Sequence, residues 1–399
     1  MKISVKEKED LKQFAGTALF NLGFRPFFLG AAIYSITAML LWWLQYSGIA
    51  MLQLTPAWHA HEMIFGYTLA VIAGFLLTSV KNWTGLDTVT GFGLFLLFTM
   101  WIAARAFNVL GFYSAAATSD LSFMLYFAWC AVVPILKVKQ WRQTLIVIVL
   151  LVLTIANGLY YAGQLGVITD GVHLGNYLGF YFVVGLILVM AGRVVPFFIE
   201  RGVEESVTLI SIPWLEKLNF IFYLIFVAVS LLGSKFDIQP IVFYLVAGFL
   251  FILNVKRMAG WYSRGIWEKP LLWSLFLAYG FIVLGFLLNS LLFFGWFNLF
   301  IPIHAIALGG VGLLTLSMMA RVSLGHSGRS IHETPKGMVF AFPILIVATI
   351  VRVLMPWLFP EHYLLWIQAS QLLWVISFSL FIWVYYPVLV QPRIDGQPG

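Results

Sequence analysis

Four of the seven histidines in this sequence lie at the same end of long apolar segments, where imidazole is the side chain best suited to ligate a metal. They are His59, His61, His173 and His304. Polar side chains at membrane depth are costly and usually face the inside of a helix bundle. Taken singly, each histidine also fits an interfacial side chain that donates to a loop carbonyl. Four at one end together predict ligation of a metal or a haem.

The spacing of these histidines is nearly regular. His61 and His173 are 112 residues apart, and His173 and His304 are 131 residues apart. Each step crosses four predicted apolar spans, and each histidine is followed about one helix length later by a cation. The three cations are Lys81, Arg193 and Arg321. This self-similarity predicts a threefold repeat of four-helix units whose equivalent helices meet around a common axis.

The first pair of histidines cannot serve one metal from a regular helix. Thr55 and Pro56 are typical of a helix cap followed by a first-turn proline, so His59 and His61 should both be helical. Two residues correspond to about 200° of rotation. We therefore expect two sites, with Glu62 on the His59 face as an orienting carboxylate. The pairing of histidines to sites stays open.

Small residues accompany two of these histidines. His59 shares its face with Gly66, Ala70 and Ala73, and His304 lies near Gly309, Gly310 and Gly312. Such positions either make room for a bulky planar cofactor or allow close helix packing, as in Gly175-x-x-x-Gly179. Arginines at the opposite helix ends have two interpretations as well. Arg25, Arg193 and Arg321 could contact an anion or haem propionates, or could anchor the cytoplasmic side.

The elements that must position these side chains are membrane helices. The chain of 399 residues is 62% hydrophobic and only 10% charged, with mean hydropathy +0.96, whereas a globular domain carries about 25% charged residues. A soluble fold is excluded. Apolar blocks of roughly 20 residues predict an all-α polytopic protein of twelve transmembrane helices. We assign residues 1–24 to a cytoplasmic arm, 25–391 to the membrane domain and 392–399 to a cytoplasmic tail.

The distribution of positive charge predicts the orientation. With the N-terminus in the cytoplasm, 20 of the 23 lysines and arginines fall on the cytoplasmic side. Twelve crossings then place both termini there. The basic residues are scattered over short loops, so the net charge of +7 does not indicate nucleic-acid binding. The single cysteine, Cys130, and the absence of a C-x-x-C-H motif exclude thioether-attached haem, so any haem is held noncovalently.

Several motifs in the chain resemble those of the NnrS family. They are GFRPFFL at 23–29, WHAHEMIFGYTLAVIAGFLLTSVKNWTG at 58–85, GRVVPFF at 192–198 and HAIALGGVGLLTLSMMARVSLGHSGR at 304–329. The resemblance implies a bacterial cytoplasmic-membrane protein of twelve helices that contains haem and copper and acts in nitric oxide metabolism and protection against nitrosative stress. By position, the family's histidines correspond to His59, His61, His173 and His304, and its arginines to Arg25, Arg193 and Arg321.

A looser architectural resemblance connects the chain to the catalytic subunits of haem-copper oxidases and nitric oxide reductases. These also have twelve helices, a pseudo-threefold arrangement and outer histidines on helices 2, 6 and 10. This sequence departs from that pattern, with no histidine on helix 7 and one on helix 10. A low-spin haem beside a three-histidine copper centre is therefore not expected, and the likeness concerns the fold.

Two functions fit these observations. The first is a membrane protein that handles nitric oxide at a b-type haem, with copper nearby; lipid and nitric oxide are its expected partners, and the sequence identifies neither a catalytic residue nor an electron donor. The alternative is a cofactor-free transporter or a metal- or haem-handling permease. Against a proton-coupled transporter, the few intramembrane carboxylates, chiefly Glu62, form no evident relay. Arg105 in the third helix is explained by neither function.

Overall fold

A computed structural model describes residues 18–49, 54–209, 212–233 and 235–397, and the secondary structure in these ranges is helical. Residues 1–17 of the predicted arm and residues 398–399 of the predicted tail lie outside them. Twelve helices are long and apolar enough to span a membrane, which confirms the predicted number. In chain order, α1 to α12 cover Phe24–Tyr46, Pro56–Thr84, Gly91–Val109, Tyr113–Lys137, Trp141–Gln164, Gly171–Gly202, Pro213–Leu232, Pro240–Ala259, Pro270–Phe294, Phe300–His326, Lys336–Leu358 and Pro360–Val390.

The helix limits differ from the predicted spans where a charged residue has a partner inside the bundle. The seventh span, predicted as Leu218–Leu232, begins at Pro213, because proline suits the first turn of a helix. The eighth helix extends to Ala259 and so includes Arg257, which the charge pattern had placed in a loop. Hydropathy ends a span at its first charge, whereas this arginine is buried beside a carboxylate.

The chain divides into two compact units. Unit 1 contains Met1–Phe180, Met319–Ser330 and Phe381–Gly399. Unit 2 contains Tyr181–Met318 and Ile331–Leu380. Three of the four boundaries fall within α6, α10 and α12, so each of these helices contributes to both units, and the fourth, between Ser330 and Ile331, falls in the loop after α10. The threefold repeat of four-helix units stays a prediction.

Two of the three helices that carry predicted histidine ligands contain a π-helical segment directly after a histidine. In α2 the segment runs over Glu62–Thr68 and follows His61, and in α10 it runs over Ala305–Gly312 and follows His304. π-Helical turns inside α-helices are rare and occur frequently at functional sites. Because such a segment follows a predicted ligand in both helices, the starts of α2 and α10 are candidate functional sites.

Close helix packing accounts for the glycines around α6 in unit 1. A Cβ atom at Gly175 would lie 2.5 Å from both the carbonyl oxygen of Ala156 and the backbone nitrogen of Tyr160 on α5. At Gly179 it would lie 2.5 Å from the ring of Phe65. Of the two interpretations left open for Gly175-x-x-x-Gly179, these contacts favour packing.

A Gly175→Ala variant should therefore lose about 1–3 kcal/mol of stability, since backbone atoms of α5 would have to move to admit the methyl group. The matched control is Gly158→Ala on α5, where the nearest atom to the new Cβ is a Leu121 methyl at 3.9 Å. Thermal unfolding of the detergent-solubilised proteins measures the difference. Equal melting temperatures for the two variants would contradict the packing interpretation.

Candidate functional site

A cluster of polar and charged side chains lies buried in unit 1, where five helices meet. We refer to it as the Arg105 cluster. It comprises Tyr34 of α1, His61 and Glu62 of α2, Arg105 and Asn108 of α3, Asp120 of α4, and Asn157 and Tyr161 of α5. Because an unpaired charge in such surroundings is expensive, these groups must satisfy one another.

Arg105 occupies the centre of the cluster and joins two carboxylates. Its Nη1 donates to Glu62 Oε2 at 3.0 Å, and its Nη2 donates to Asp120 Oδ2. The side chains of both acids are fully buried. Tyr34 donates its hydroxyl hydrogen to Glu62 Oε2, and Tyr161 donates to Asp120 Oδ2 at 3.0 Å. One guanidinium thereby ties α2, α3 and α4 together.

His61 is held at both ring nitrogens. Its Nδ1 lies 2.8 Å from Glu62 Oε1, and its Nε2 lies 2.8 Å from Asn157 Oδ1. The ring stacks on Tyr160 with 3.7 Å between ring centroids, and the side chain is fully buried. A metal bound by His61 would have to replace one of these oxygen partners.

The π segment of α2 is fitted to this cluster. Within this segment, the carbonyl of Gly66 accepts a hydrogen bond from Trp101 Nε1 of α3 at 3.0 Å. Gly66 itself lies against the cluster, because a Cβ there would come within 2.8 Å of Glu62 Oε2 and 3.1 Å of Arg105 Nη1. The glycine that was a candidate for cofactor space therefore gives room to the Glu62–Arg105 ion pair.

The structure corrects the expected position of the orienting carboxylate. Sequence spacing placed Glu62 on the His59 face, but its carboxylate contacts His61. The reason is that Glu62 begins the π segment, where the regular α-helical rotation no longer applies, and that Arg105 fixes its other oxygen. Glu62 thus orients His61.

Sequence reasoning missed five members of the Arg105 cluster: Tyr34, Asn108, Asp120, Asn157 and Tyr161. A lone intramembrane arginine requires a buried acceptor, so Arg105 itself was the signal that a carboxylate must lie near it. Asp120 directly precedes the predicted fourth span, which begins at Leu121, and was counted as outside the membrane. The structure places it in the second turn of α4 with no exposed surface.

His59 and His173 occupy more accessible positions in unit 1. The His59 ring stacks on Trp42 with centroids 5.1 Å apart and planes 5° from parallel. His173 is exposed in the first turn of α6, and its ring centroid lies 4.4 Å from that of Tyr177. His59 and His61 contact different neighbours, as their spacing predicted, because one faces α1 and the other faces α5.

His304 lies in unit 2 in the orientation typical of a metal-ligating histidine. Its Nδ1 donates to the Phe300 carbonyl at 2.7 Å, so the lone pair belongs to Nε2. The Nε2 atom lies 3.3 Å from Arg352 Nη2. The glycines that follow pack closely, since a Cβ at Gly309 would meet Phe281 and a Cβ at Gly312 would meet Trp374.

The three arginines predicted as anion contacts are placed differently from one another. Arg25 is fully buried in unit 1, and its Nη1 donates to the carbonyls at the end of α12, including Gln391 O at 2.7 Å. Cations stabilise a helix C-terminus, so this arginine has a structural role as a cap. Arg321 is buried in unit 1, whereas Arg193 is exposed in unit 2.

The polypeptide after α12 extends this cap. Ile394 N donates to Ser327 O at 3.2 Å, and Arg393 forms an ion pair with Asp395. That guanidinium lowers the pKa of Asp395 to about 2. The Asp395 carboxylate therefore stays charged, and its pair with Arg393 intact, until the pH falls towards that value.

A second polar cluster lies in unit 2 and centres on Arg257 of α8. Its Nε and Nη2 donate to the two carboxylate oxygens of Glu216 at 2.7 and 2.6 Å. Its Nη1 donates to the Tyr279 hydroxyl at 2.6 Å, and Nη2 also donates to Leu188 O at 2.8 Å. One side chain thus connects α6, α7, α8 and α9.

No group of three or more histidine, cysteine, aspartate or glutamate side chains is arranged to hold a metal ion within the described ranges. A haem makes a smaller demand, since one or two axial side chains suffice. Of the predicted ligands, His304 has Nδ1 bonded to a backbone carbonyl, which leaves Nε2 directed away from its own helix. His61 has oxygen partners at both nitrogens.

Comparison with known proteins agrees with the motif resemblance. The model of the NnrS family, described as NnrS protein, matches residues 18–393, which is nearly the whole chain. No curated protein matches the sequence. Family membership fits a membrane protein related to nitric oxide, and the twelve spanning helices agree with it. This multi-pass membrane protein belongs to the NnrS family.

Proposed function

We propose that this chain is a haem protein of the bacterial cytoplasmic membrane that handles nitric oxide and protects against nitrosative stress. Both termini lie in the cytoplasm in this proposal, as the positive charge indicates. The haem is b-type and noncovalent, and copper is a second metal. Support comes from the family match over residues 18–393 and from the arrangement around His304.

The observation that carries the proposal is the orientation of the His304 ring. A hydrogen bond from Nδ1 to a backbone carbonyl fixes the tautomer, as in ligating histidines generally, and directs the Nε2 lone pair away from its own helix, towards Arg352 Nη2 at 3.3 Å. The π segment Ala305–Gly312 follows at once, and such segments are frequent at functional sites. We therefore propose His304 as the first haem ligand.

The remaining ligands follow from what already binds each ring. His173 is exposed and His59 has a stacked neighbour on one face, so both can turn towards a metal. We propose His173 as a further metal ligand, in unit 1, and His59 for copper. His61 is the last candidate, because a metal there would have to replace a 2.8 Å contact with Glu62 or Asn157, whereas at His304 it would replace the longer contact of Nε2 with Arg352 Nη2 at 3.3 Å.

A haem iron with an exchangeable position supplies the binding of nitric oxide. The protein supplies an apolar surround: nitric oxide is small and membrane-soluble, and helices rich in phenylalanine and leucine admit it without a polar channel. His304 orients the ligating nitrogen, and the packed side chains around Gly309 and Gly312 exclude bulk water. Because neutral imidazole ligates, acid should weaken the site.

Absorption spectra test this proposal. The protein is expressed with haem precursor and copper and purified in detergent. Its absorption spectrum is then recorded in the oxidised state, after reduction with dithionite and after addition of nitric oxide. We expect a Soret band that shifts with nitric oxide in the wild type and that is lost or changes spin state in His304→Ala, whereas His173→Ala should lower the metal content. Haem and copper contents are measured on the same samples.

The matched control is His362→Ala, because His362 is exposed in the turn that precedes the long run of α12. Its spectrum should equal that of the wild type. His59→Ala should lower the copper content and keep the Soret band. His61→Ala should lower the melting temperature and change the haem content of the folded protein little. A folded wild type that is colourless and free of metal would overturn the proposal and favour the transporter.

A further inference from the structure

Three arginines from distant parts of the chain come together in unit 1, where α1 begins and where α10 and α12 end. They are Arg25 of α1, Arg329 after α10 and Arg393 after α12. Arg25 Nη1 donates to Gln391 O at 2.7 Å, and Ile394 N donates to Ser327 O at 3.2 Å. These bonds connect the start of α1 with the segments that follow α12 and α10. We refer to the three arginines and Asp395 as the Arg329 site.

The Arg329 site carries more positive than negative charge. Arg393 forms an ion pair with Asp395, which is the one carboxylate of the site. Arg329 and Arg393 both repel Arg25, so both lie within electrostatic reach of it. Three guanidiniums and one carboxylate leave a net charge of +2. Such an excess of one charge beside buried groups is costly unless an anion accompanies it.

One donor of the site has no acceptor. The Nη1 atom of Arg329 is buried, and within the part of the chain that the structure describes it has no hydrogen-bond partner. The other two arginines do have acceptors, since Arg25 donates to carbonyls at the end of α12 and Arg393 donates to Asp395 and to the His326 carbonyl. A buried guanidinium nitrogen without an acceptor is expensive, and an anion satisfies it best.

The backbone beside Arg329 is fixed in place. Gly328 has φ +77°, which favours glycine, and a Cβ there would lie 2.9 Å from Asp395 Cγ. The backbone N–H of Arg329 donates to Leu324 O at 3.0 Å. The turn that bears Arg329 is therefore held against α10 and against the segment after α12, so its guanidinium extends from an ordered backbone.

The site lies at the level of the lipid headgroups. Arg25 is the second residue of α1, and Arg329 and Arg393 each come three residues after the end of a spanning helix. The headgroups of a bilayer lie at the ends of the helices that cross its hydrocarbon core. Basic pockets between membrane helices bind anionic headgroups, and the planar fork of an arginine matches the oxygens of a phosphate.

We propose that the Arg329 site binds the phosphodiester group of an anionic phospholipid. Arg329 donates to the phosphate oxygens, and the charges of Arg25 and Arg393 add attraction. A zwitterionic lipid has a phosphate too, but the net positive charge repels its ammonium group, so the site selects lipids such as phosphatidylglycerol. The acyl chains stay in the bilayer beside the helices, so the protein needs no enclosed cavity. This binding goes beyond the handling of nitric oxide and does not depend on a haem.

Titration of short-chain phosphatidylglycerol into the delipidated full-length protein in a neutral detergent tests the proposal, with the first bound lipid quantified by native mass spectrometry. We expect phosphatidylglycerol to bind at least about tenfold more tightly than phosphatidylcholine of the same chain length. Arg329→Gln should weaken the binding of phosphatidylglycerol about tenfold, because it removes a charge and the donors. Arg329→Lys should weaken it less, since the charge stays and only the planar fork is lost.

The matched control is Arg142→Gln, because Arg142 is exposed in a short turn at the end of the bundle that the charge pattern also assigns to the cytoplasm. Its affinity for phosphatidylglycerol should equal that of the wild type. Size-exclusion chromatography verifies folding, and Arg329→Lys carries the test if Arg329→Gln aggregates. Equal affinities for the two lipids, no loss of affinity on substitution of Arg329, or an equal loss in Arg142→Gln would each overturn the proposal, whatever the haem spectra show.

Melting temperatures identify the source of the anion. Phosphatidylglycerol should raise the melting temperature of the wild type more than that of Arg329→Gln, and the two delipidated proteins should melt at similar temperatures. An Arg329→Gln variant that is destabilised equally with and without lipid would mean that Arg329 pairs with an acceptor in the chain itself. Inorganic phosphate at the same concentration should leave the wild type unchanged, and an increase equal to that with lipid would assign the site to a free anion. Either result would overturn the proposal.

Discussion

An Arg105→Met variant should lose about 3–5 kcal/mol of folding free energy, the loss expected when one partner of a buried ion pair is removed. Methionine leaves Glu62 and Asp120 without the guanidinium that joins them, and both carboxylates are fully buried. Tyr34 and Tyr161 each keep one hydrogen bond to these acids. Two neutral hydroxyl donors do not replace the positive charge of the guanidinium. We expect little folded protein after solubilisation, and a strongly lowered melting temperature in what remains.

A variant that removes both negative charges together with the positive one shows how much of the lost stability comes from unpaired charge and how much from packing. In the triple variant Arg105→Met, Glu62→Gln and Asp120→Asn, no charge is stranded, so much of the lost stability should return. Arg142→Ala is the surface control, since Arg142 is exposed in a short turn, and it should change stability by no more than about 0.5 kcal/mol. An Arg105→Met melting temperature within the range of Arg142→Ala would contradict this account of the cluster.

The Arg105 cluster also explains why α2 is irregular. Glu62 is the first residue of the π segment, and it is bound by α1 through Tyr34 and by α3 through Arg105. Trp101 of α3 then takes the Gly66 carbonyl. These bonds hold the turn that bears His59 and His61, so the cluster positions the candidate ligands even though it excludes a free nitrogen at His61.

Hydropathy was sufficient to predict the membrane architecture. Each span needs roughly 20 apolar residues, and that length is a local property of the sequence. The twelve spans, the buried position of His61 and the opposed directions of His59 and His61 follow from local rules and agree with the structure. What local rules miss is which helices are neighbours, because side-chain partners such as Arg105 and Asp120 meet across different helices.

The π segments were beyond local prediction for the same reason. In the π segment of α2, the carbonyl of Gly66 accepts a hydrogen bond from Trp101 of α3. A contact with another helix of this kind is not visible in the local sequence. Charged residues near span ends were the other source of error. Asp120 and Arg257 were assigned to the aqueous side, yet each has a partner of opposite charge, and the pair makes burial tolerable.

An Arg257→Met variant should show the second large effect, a loss of about 3–5 kcal/mol. Methionine strands Glu216 and removes the bonds to Tyr279 and Leu188 O, which connect four helices of unit 2. Arg257→Lys keeps the charge, but an ammonium cannot reproduce the planar two-point contact with Glu216. The stability of Arg257→Lys should therefore lie between that of Arg257→Met and that of the wild type.

Thermal unfolding of both variants in the same detergent checks this order, with Arg142→Lys as the matched substitution at an exposed arginine. A double variant with Glu216→Gln should recover part of the stability lost by Arg257→Met, because the partly buried side chain of residue 216 is then neutral. The Soret band should survive in whatever folds, since Arg257 and Glu216 touch none of the predicted histidine ligands. An Arg257→Lys variant as stable as the wild type would mean that charge alone, and not the geometry of the guanidinium, holds α6 to α9 together, and one no more stable than Arg257→Met would mean that the retained charge contributes nothing.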